Sequence, residues 1–314
     1  MLLSLVFSFR NEEENIPELV LRIHKIVESI KDLKYEMIFV NDASTDKSLN
    51  ILEDLQKSYP ITIISMSRCF GVTPCVLAGF AETQGDAVIY MDSDLQDPPE
   101  LIPEMISKFK EGAEVVHTTR TQRKGESSLK LWFTGKAYKI INKFSDIHLP
   151  ENSGDFKLLS KKVVKEILNL KEYDPYMRGL SVWVGYKQDF VLYKRDSRWR
   201  GKTKFPLFSK NPIREFVRGL TAYSAAPLYI SFLMGVITSL FSIGLIFYAL
   251  ITKILGISTP GTPSVLIAVA LFSGVLLMTN GVLGIYIARI YHEIKGRPRY
   301  IIESVSKPKG NSKG

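Results

Sequence analysis

Two carboxylates separated by one residue, in Met91-Asp92-Ser93-Asp94-Leu95-Gln96-Asp97, are the part of the sequence best equipped for chemistry. They close the apolar run Ala87 to Met91, so they fall where a buried strand should end. Hard oxygen donors there suit Mg²⁺ or Mn²⁺, ions that keep several waters and share their shell with phosphates. Such an ion neutralises charge building on a departing diphosphate. Asp42 ends a second apolar run, Tyr35 to Val40. It offers an acceptor to a base or ribose, or else it forms the turn ahead of a capped helix. Glu12, just past a third run, is a similar candidate for the nucleotide. Asp97, directly before Pro98-Pro99, reads as a helix N-cap.

The rest of the sequence narrows the choice. The chain has 314 residues, a net charge of +9 and 46% hydrophobic residues. That is enough for a sizeable core plus further segments. Cys69 and Cys75 are its two cysteines, which excludes a disulfide scaffold and fits buried thiols in a reducing compartment. Four scattered histidines form no HExxH, and there is no GxGxxG and no GxxxxGK[ST]. A zinc hydrolase, a dinucleotide site and a P-loop are therefore disfavoured. The apolar start, Met1 to Phe7, lacks a basic leader and reads as a first strand rather than a signal peptide.

The candidate residues need elements to position them. Strands are expected over Leu3–Phe9, Tyr35–Val40, Ile61–Met66, Ala87–Met91 and Glu114–Thr118. Helices are expected after Asn15-Ile16-Pro17, after Ser44-Thr45-Asp46, around Pro74–Glu82 and from Asp97 onward. This alternation predicts a mostly parallel sheet with helices on both faces, which binds ligands at the carboxyl ends of its strands. Residues 126–144 interleave Leu129, Trp132, Phe133, Ile140 and Phe144 with Lys130, Lys136, Lys139 and Lys143. That pattern predicts an amphipathic helix on an anionic membrane surface.

Two long uncharged stretches follow, Gly219–Thr252 and Ile254–Ala288. Each exceeds the roughly 20 apolar residues that cross a bilayer, so membrane helices are expected near 228–251 and 264–288. Arginines and lysines crowd both flanks, while the short loop between the helices holds Lys253 alone. The positive-inside rule puts both termini and the N-terminal domain in the cytoplasm, at a plasma or inner membrane. The basic charge then meets headgroups and phosphates, so nucleic acid is not the expected partner. The predicted organisation is a catalytic domain over 1–210, an interfacial helix over 211–222, the two spans within 223–290 and a basic tail over 291–314.

Five segments carry a family resemblance. They are Phe9-Arg10-Asn11-Glu12-Glu13, Val40 to Asp46, Ser67-Arg68-Cys69-Phe70-Gly71, Met91 to Glu100 and Gly154-Asp155-Phe156-Lys157-Leu158. Together they resemble the motif series of family-2 glycosyltransferases, most closely the polyprenyl-phosphate branch that includes dolichol-phosphate mannose synthase and the bacterial undecaprenyl-phosphate glucosyltransferases. The resemblance implies a GT-A fold. It implies that Asp42 contacts the nucleoside and that Asp92 and Asp94 hold diphosphate and metal, with Gln96 as a further metal ligand. Arg120 and Arg123 would face phosphates. Gly201-Lys202-Thr203-Lys204-Phe205 makes Lys204 the implied contact for pyrophosphate or lipid phosphate, with Arg123, Arg200 and Lys202 joining it on the lipid side. Asp155 would stand by the reacting centre as base or orienter, the other reading being a structural carboxylate paired with an Arg or Lys. The sequence departs from the family where Arg10 replaces the usual Tyr and Ala43 the usual Gly, and a common Lys is missing after Gly71.

The implied reaction moves a sugar from a nucleotide-sugar, UDP-glucose or UDP-N-acetylglucosamine, to a polyprenyl phosphate. A phosphate monoester, with its second pKa near 6, is largely dianionic at neutral pH and is a nucleophile without help. The protein then has to position reactants and stabilise charge. A single displacement predicts inversion. Two other readings compete. A processive polysaccharide synthase shares the domain but needs more spans, and Arg195-Asp196-Ser197-Arg198-Trp199 matches its signature only partly. A non-catalytic membrane scaffold would keep the fold without the reaction. Membrane lipids and a homo-oligomer complete the expected partners.

Overall fold

In the computed structural model the described residues are 1–123, 139, 142–150, 153–195, 217–257 and 261–308. The expected membrane-surface helix over 126–144 lies almost wholly outside them, as do Arg200, Lys202, Lys204 and the side chain of Arg123.

Clustering of the chain gives two units. The first comprises Met1–Lys143, Ile147–Gly219 and Pro298–Gly314. It is built on one eight-stranded sheet of order β7-β5-β6-β4-β1-β2-β3-β8. The strands are β1 Leu2–Phe9, β2 Lys34–Asn41, β3 Ile61–Met66, β4 Ala87–Asp92, β5 Val115–Arg123, β6 Ser153–Ser160, β7 Gln188–Arg195 and β8 Ile302–Ser306. β1 to β4 run parallel, and β5 pairs with β7 in parallel. β6 is antiparallel to both β4 and β5, and β8 is antiparallel to β3. The first five strands fall where the apolar runs predicted them. The three later ones have no comparable apolar run, and two of them bring in the antiparallel pairings. Five residues of the expected basic tail, Ile302–Ser306, form the edge strand β8.

Central strands are buried on both faces, which is why β1 and β3 read as mostly apolar runs, broken by small Ser and Thr side chains. The helices are α1 Ile16–Glu28, α2 Ser48–Leu55, α3 Val72–Glu82, α4 Ile102–Lys110, α5 Lys161–Asn169 and α6 Met177–Trp183. α1 turns Leu19, Val20, Ile23 and Val27 toward the sheet, all buried, each worth about 1.5–3 kcal/mol of apolar transfer. They join a core with Leu3, Leu5, Phe7, Phe39 and Ile63. Phe7 and Phe39 stack across β1 and β2 with centroids 4.6 Å apart. α3 approaches β1 closely because Gly79 has no side chain. A Cβ there would meet Val6 Cγ1 at 2.4 Å.

The second unit comprises Phe144–Asp146 and Leu220–Arg297. Its main elements are α7, Ala226–Ile254, and α8, Thr262–Ile294. Both are long and apolar enough to cross a membrane. Their side chains are open to the surroundings, with Phe232 at 72% exposure and Leu277 at 71%. In the linking region 217–222, the described part of the expected interfacial segment, the chain is helical.

Candidate active site

Parallel strands end at one edge of the sheet, so the segments after β1, β2, β3 and β4 gather there, together with the end of β5 and the start of β6. Three of these turns put a non-glycine residue in the left-handed region: Asn11 after β1 (φ 55), Ala43 after β2 (φ 53) and Leu95 after β4 (φ 57). Such conformations persist only where the surroundings enforce them, and they concentrate at functional sites. At Ala43 a glycine would hold the same conformation with no Cβ penalty.

The first two turns are laced together. Asn11 donates from its backbone to Ser44 Oγ at 3.1 Å, and Asn11 Oδ1 accepts from the Thr45 amide at 2.8 Å. The Glu12 amide donates to Ser48 Oγ at 2.9 Å, and the Lys47 amide donates to Glu13 Oε2 at 2.9 Å. Glu12 itself is buried, its Oε2 accepting from Asn15 Nδ2 at 2.7 Å. Asp46 takes the amide of Ser48 at 3.0 Å, so of the three residues expected to cap the second helix it is the one that reaches the helix start.

Asp42 is buried and organises the turn after β3. Its Oδ1 accepts from the Phe70 amide at 2.6 Å, and its Oδ2 accepts from the Gly71 amide at 3.0 Å and from the Cys69 thiol at 3.2 Å. Arg10 reaches the same cluster, 2.7 Å from Cys69 Sγ. Cys69 is exposed, not buried as expected of both thiols, because it sits on this turn. Cys75 is buried. Burial and the adjacent Asp42 raise both thiol pKa values, so both remain thiols at neutral pH.

After β4 the exposure alternates. Met91, Ser93, Leu95 and Asp97 are buried, whereas Asp92, Asp94 and Gln96 are partly open. The two carboxylates and the amide therefore share the open side of one turn, where the sequence expected a metal. Asp94 Oδ1 also accepts the Gln96 amide at 3.2 Å, fixing the turn. Among the described residues no three His, Cys, Asp or Glu side chains converge into a closed metal cage. A two-carboxylate, one-amide oxygen set fits a hard divalent ion whose remaining positions go to phosphate and water.

Asp97 and Arg120 correct the sequence reading. The position before the 3₁₀ turn Pro99–Leu101 is Pro98, and Asp97 does not cap it. Its carboxylate instead accepts from Arg120 Nη2 at 3.2 Å and 3.3 Å and from the Tyr193 hydroxyl, which also takes Arg120 Nε at 2.9 Å. The guanidinium expected to face phosphate is thus directed inward, with 9% of its side chain exposed. Gly154 makes room for it: a Cβ there would lie 2.8 Å from Arg120 Nη2.

Asp155 stands beside the Asp92 turn, because β6 runs antiparallel to β4 with Lys157 opposite Tyr90. It is gripped by Arg178 of α6, with Nε 3.0 Å and 3.2 Å from its two oxygens and Nη2 2.6 Å from Oδ2. Burial alone would raise its pKa, but Arg178, helped by Lys157 and Arg120, holds it at about 2. A carboxylate so acidic is a poor proton acceptor near neutrality. Arg178, Tyr193, Lys157 and Ser181 were missed from the sequence. Arg178 and Ser181 lie outside every quoted segment, and only the packing of α6 against β6 brings them to Asp155 and Lys157.

A family model described as glycosyl transferase family 2 matches residues 4–168. An uncharacterized glycosyltransferase of Bacillus subtilis (strain 168) is 42% identical over 302 residues, spanning 96% of this chain and 93% of its own. The bactoprenol glucosyl transferase of Shigella phage SfX is 38% identical over 309 residues, spanning 97% of this chain and 99% of its own. Mannosyl-3-phosphoglycerate synthase from Rubrobacter xylanophilus shares the fold, with a TM-score of 0.50 at 17% identity, over 71% of this chain and 73% of that one.

Proposed function

The chain belongs to glycosyl transferase family 2, a glycosyltransferase of GT-A fold, and from that premise we propose that it transfers a hexose from a nucleotide-sugar to a polyprenyl phosphate, with inversion at the anomeric carbon. The observation that carries the acceptor is the likeness to a bactoprenol glucosyl transferase over nearly the whole of both chains, α7 and α8 included. We assign these two helices as membrane spans, with the sheet unit cytoplasmic in accord with the basic flanks. UDP-glucose is the first donor to test and UDP-N-acetylglucosamine the second.

The roles follow from the donor sets. Asp92, Asp94 and Gln96 would hold Mg²⁺ or Mn²⁺ with the donor's diphosphate. When bound, that ion supplies charge neutralisation at the leaving nucleotide. The turns carrying Glu12 and Asp42 shape the nucleoside end. Asp155, kept ionised by Arg178, orients the acceptor side by its charge rather than by taking a proton. The phosphate dianion attacks the anomeric carbon directly, the new C–O bond forming as the bond to the nucleoside diphosphate breaks. Arg123, Arg200, Lys202 and Lys204 are assigned to the lipid phosphate on sequence grounds.

The test is transfer of radiolabel from UDP-sugars to undecaprenyl phosphate by purified protein with Mg²⁺ or Mn²⁺. Labelled lipid is expected, and Asp94→Asn should lose it by at least about 100-fold, the scale of a removed electrostatic contact. Labelled polymer would indicate a processive synthase. No label under any donor, or full turnover by Asp94→Asn, would refute the assignment.

A further inference from the structure

The reaction above makes no use of the buried cation Lys157. Lys157 of β6 is fully buried, two residues from Asp155 and on the same face of the strand. Its Nζ donates to Ser181 Oγ at 2.6 Å. Ser181 Oγ in turn donates to the carbonyl of Arg178 at 3.1 Å. A hydroxyl has one proton, so the direction of this relay is fixed: ammonium to hydroxyl to carbonyl. Arg178 and Ser181 stand one turn apart on α6, hence on the same helix face. Residues 155 and 157 of the strand therefore meet residues 178 and 181 of the helix at two points.

Those two points fix polar side chains of α6, beside the apolar packing of its buried Met177 and Leu180 and the bond from Gln188 Nε2 to the Val182 carbonyl. The helix is seven residues long, and no side chain caps its N-terminus. Around Lys157 the polar neighbours are Tyr90 on β4, His117 on β5, Asp155 on β6 and Arg178 on α6. The Tyr90 hydroxyl and His117 Nδ1 have no hydrogen-bond partner among the described residues, so neither substitutes for the link to Ser181. Keeping an ammonium in such a place is costly without a specific task. Burial accordingly pulls it down to about 7, against the pull of Asp155 to keep it charged.

We propose that Lys157 is a positioning residue, which through Ser181 sets the register of α6 so that Arg178 holds Asp155 in the orientation used in transfer. This deepens the function proposed above and rests on it. The experiment compares wild type with Lys157→Met, which keeps the length and removes the charge from an apolar slot, and with Ser181→Ala. In the lipid-transfer assay, kcat should fall about 10- to 100-fold in Lys157→Met, the scale of a misplaced catalytic geometry. KM for the nucleotide-sugar should stay within about twofold, since a positioning defect acts after binding. Ser181→Ala should fall in the same direction, and the double variant should be no worse than Lys157→Met, because both break one relay.

Hydrogen exchange of the peptide over 177–183 is read in the same proteins and needs no turnover. Exchange should quicken there in Lys157→Met and stay unchanged over α5. Wild-type kcat in Lys157→Met, additive effects of the two substitutions, or unchanged exchange over 177–183 would each overturn the proposal. A wild-type protein that labels no lipid would refute the functional assignment instead, and the exchange measurement would still decide the clamp.

Discussion

Replacing Arg120 by Met separates two incompatible uses of that side chain. If Arg120 contacts a phosphate of the donor, its loss leaves folding untouched and weakens donor binding. In the structure it is one side of a buried pair: the side chains of Arg120 and Asp97 are 9% and 2% exposed, 3.2 Å apart. Arg120→Met would leave the Asp97 carboxylate buried with the Tyr193 hydroxyl as its remaining donor among those described above. Removing one partner of a buried pair costs about 3–5 kcal/mol, because the charge left behind stays desolvated while losing its guanidinium. For a unit of about 200 residues each kcal/mol corresponds to about 2–4 °C, so the unfolding midpoint should drop by about 6–20 °C. Asp97→Asn combined with Arg120→Met should recover most of that loss, since the buried charge is removed together with its counter-charge. The assay is thermal unfolding in detergent followed by tryptophan fluorescence, with donor KM measured at a temperature where every variant is folded. An Arg120→Met protein with the wild-type midpoint and a donor KM raised tenfold would refute the buried-pair account and restore Arg120 to the phosphate site.

Two further outcomes follow from the backbone and from burial. Lys157 has a folded-state pKa of about 7 against an ordinary 10.5. Between those values the unfolded chain binds the additional proton, so this group makes stability rise with pH across that window. Lys157→Met removes the effect, so wild type should gain in midpoint relative to the variant between pH 7 and about 9.5; parallel curves would show that Lys157 titrates normally. Ala43 holds φ 53, a conformation that penalises a Cβ by about 1–2 kcal/mol. Ala43→Gly should therefore raise the unfolding midpoint by about 2–4 °C with transfer activity retained, and a lowered midpoint would show that the turn does not need the left-handed conformation.

The parallel half of the sheet, the acidic turn and the two apolar helices are legible along the chain. Each is a local property. A strand buried on both faces is mostly apolar, as Ile61–Met66 is apart from Thr62 and Ser65, and a helix able to cross a membrane carries almost no charge, as α7 does with Lys253 alone. Asp92 and Asp94 stood out because hydrophilic carboxylates directly follow such a run. How the polar side chains are shared out depends on packing between distant segments. Arg120 and Arg178 are both arginines near acidic residues, yet one closes a buried pair under Gly154 and the other grips Asp155. No spacing in the chain distinguishes them, because their partners lie 23 residues away in each case, brought close by strand order and helix rotation. The same holds for β8, whose exposed residues carry no apolar signal and become a strand because the edge of β3 offers unpaired backbone groups. Burial patterns are written along the chain, whereas the pairing of charges is set across it.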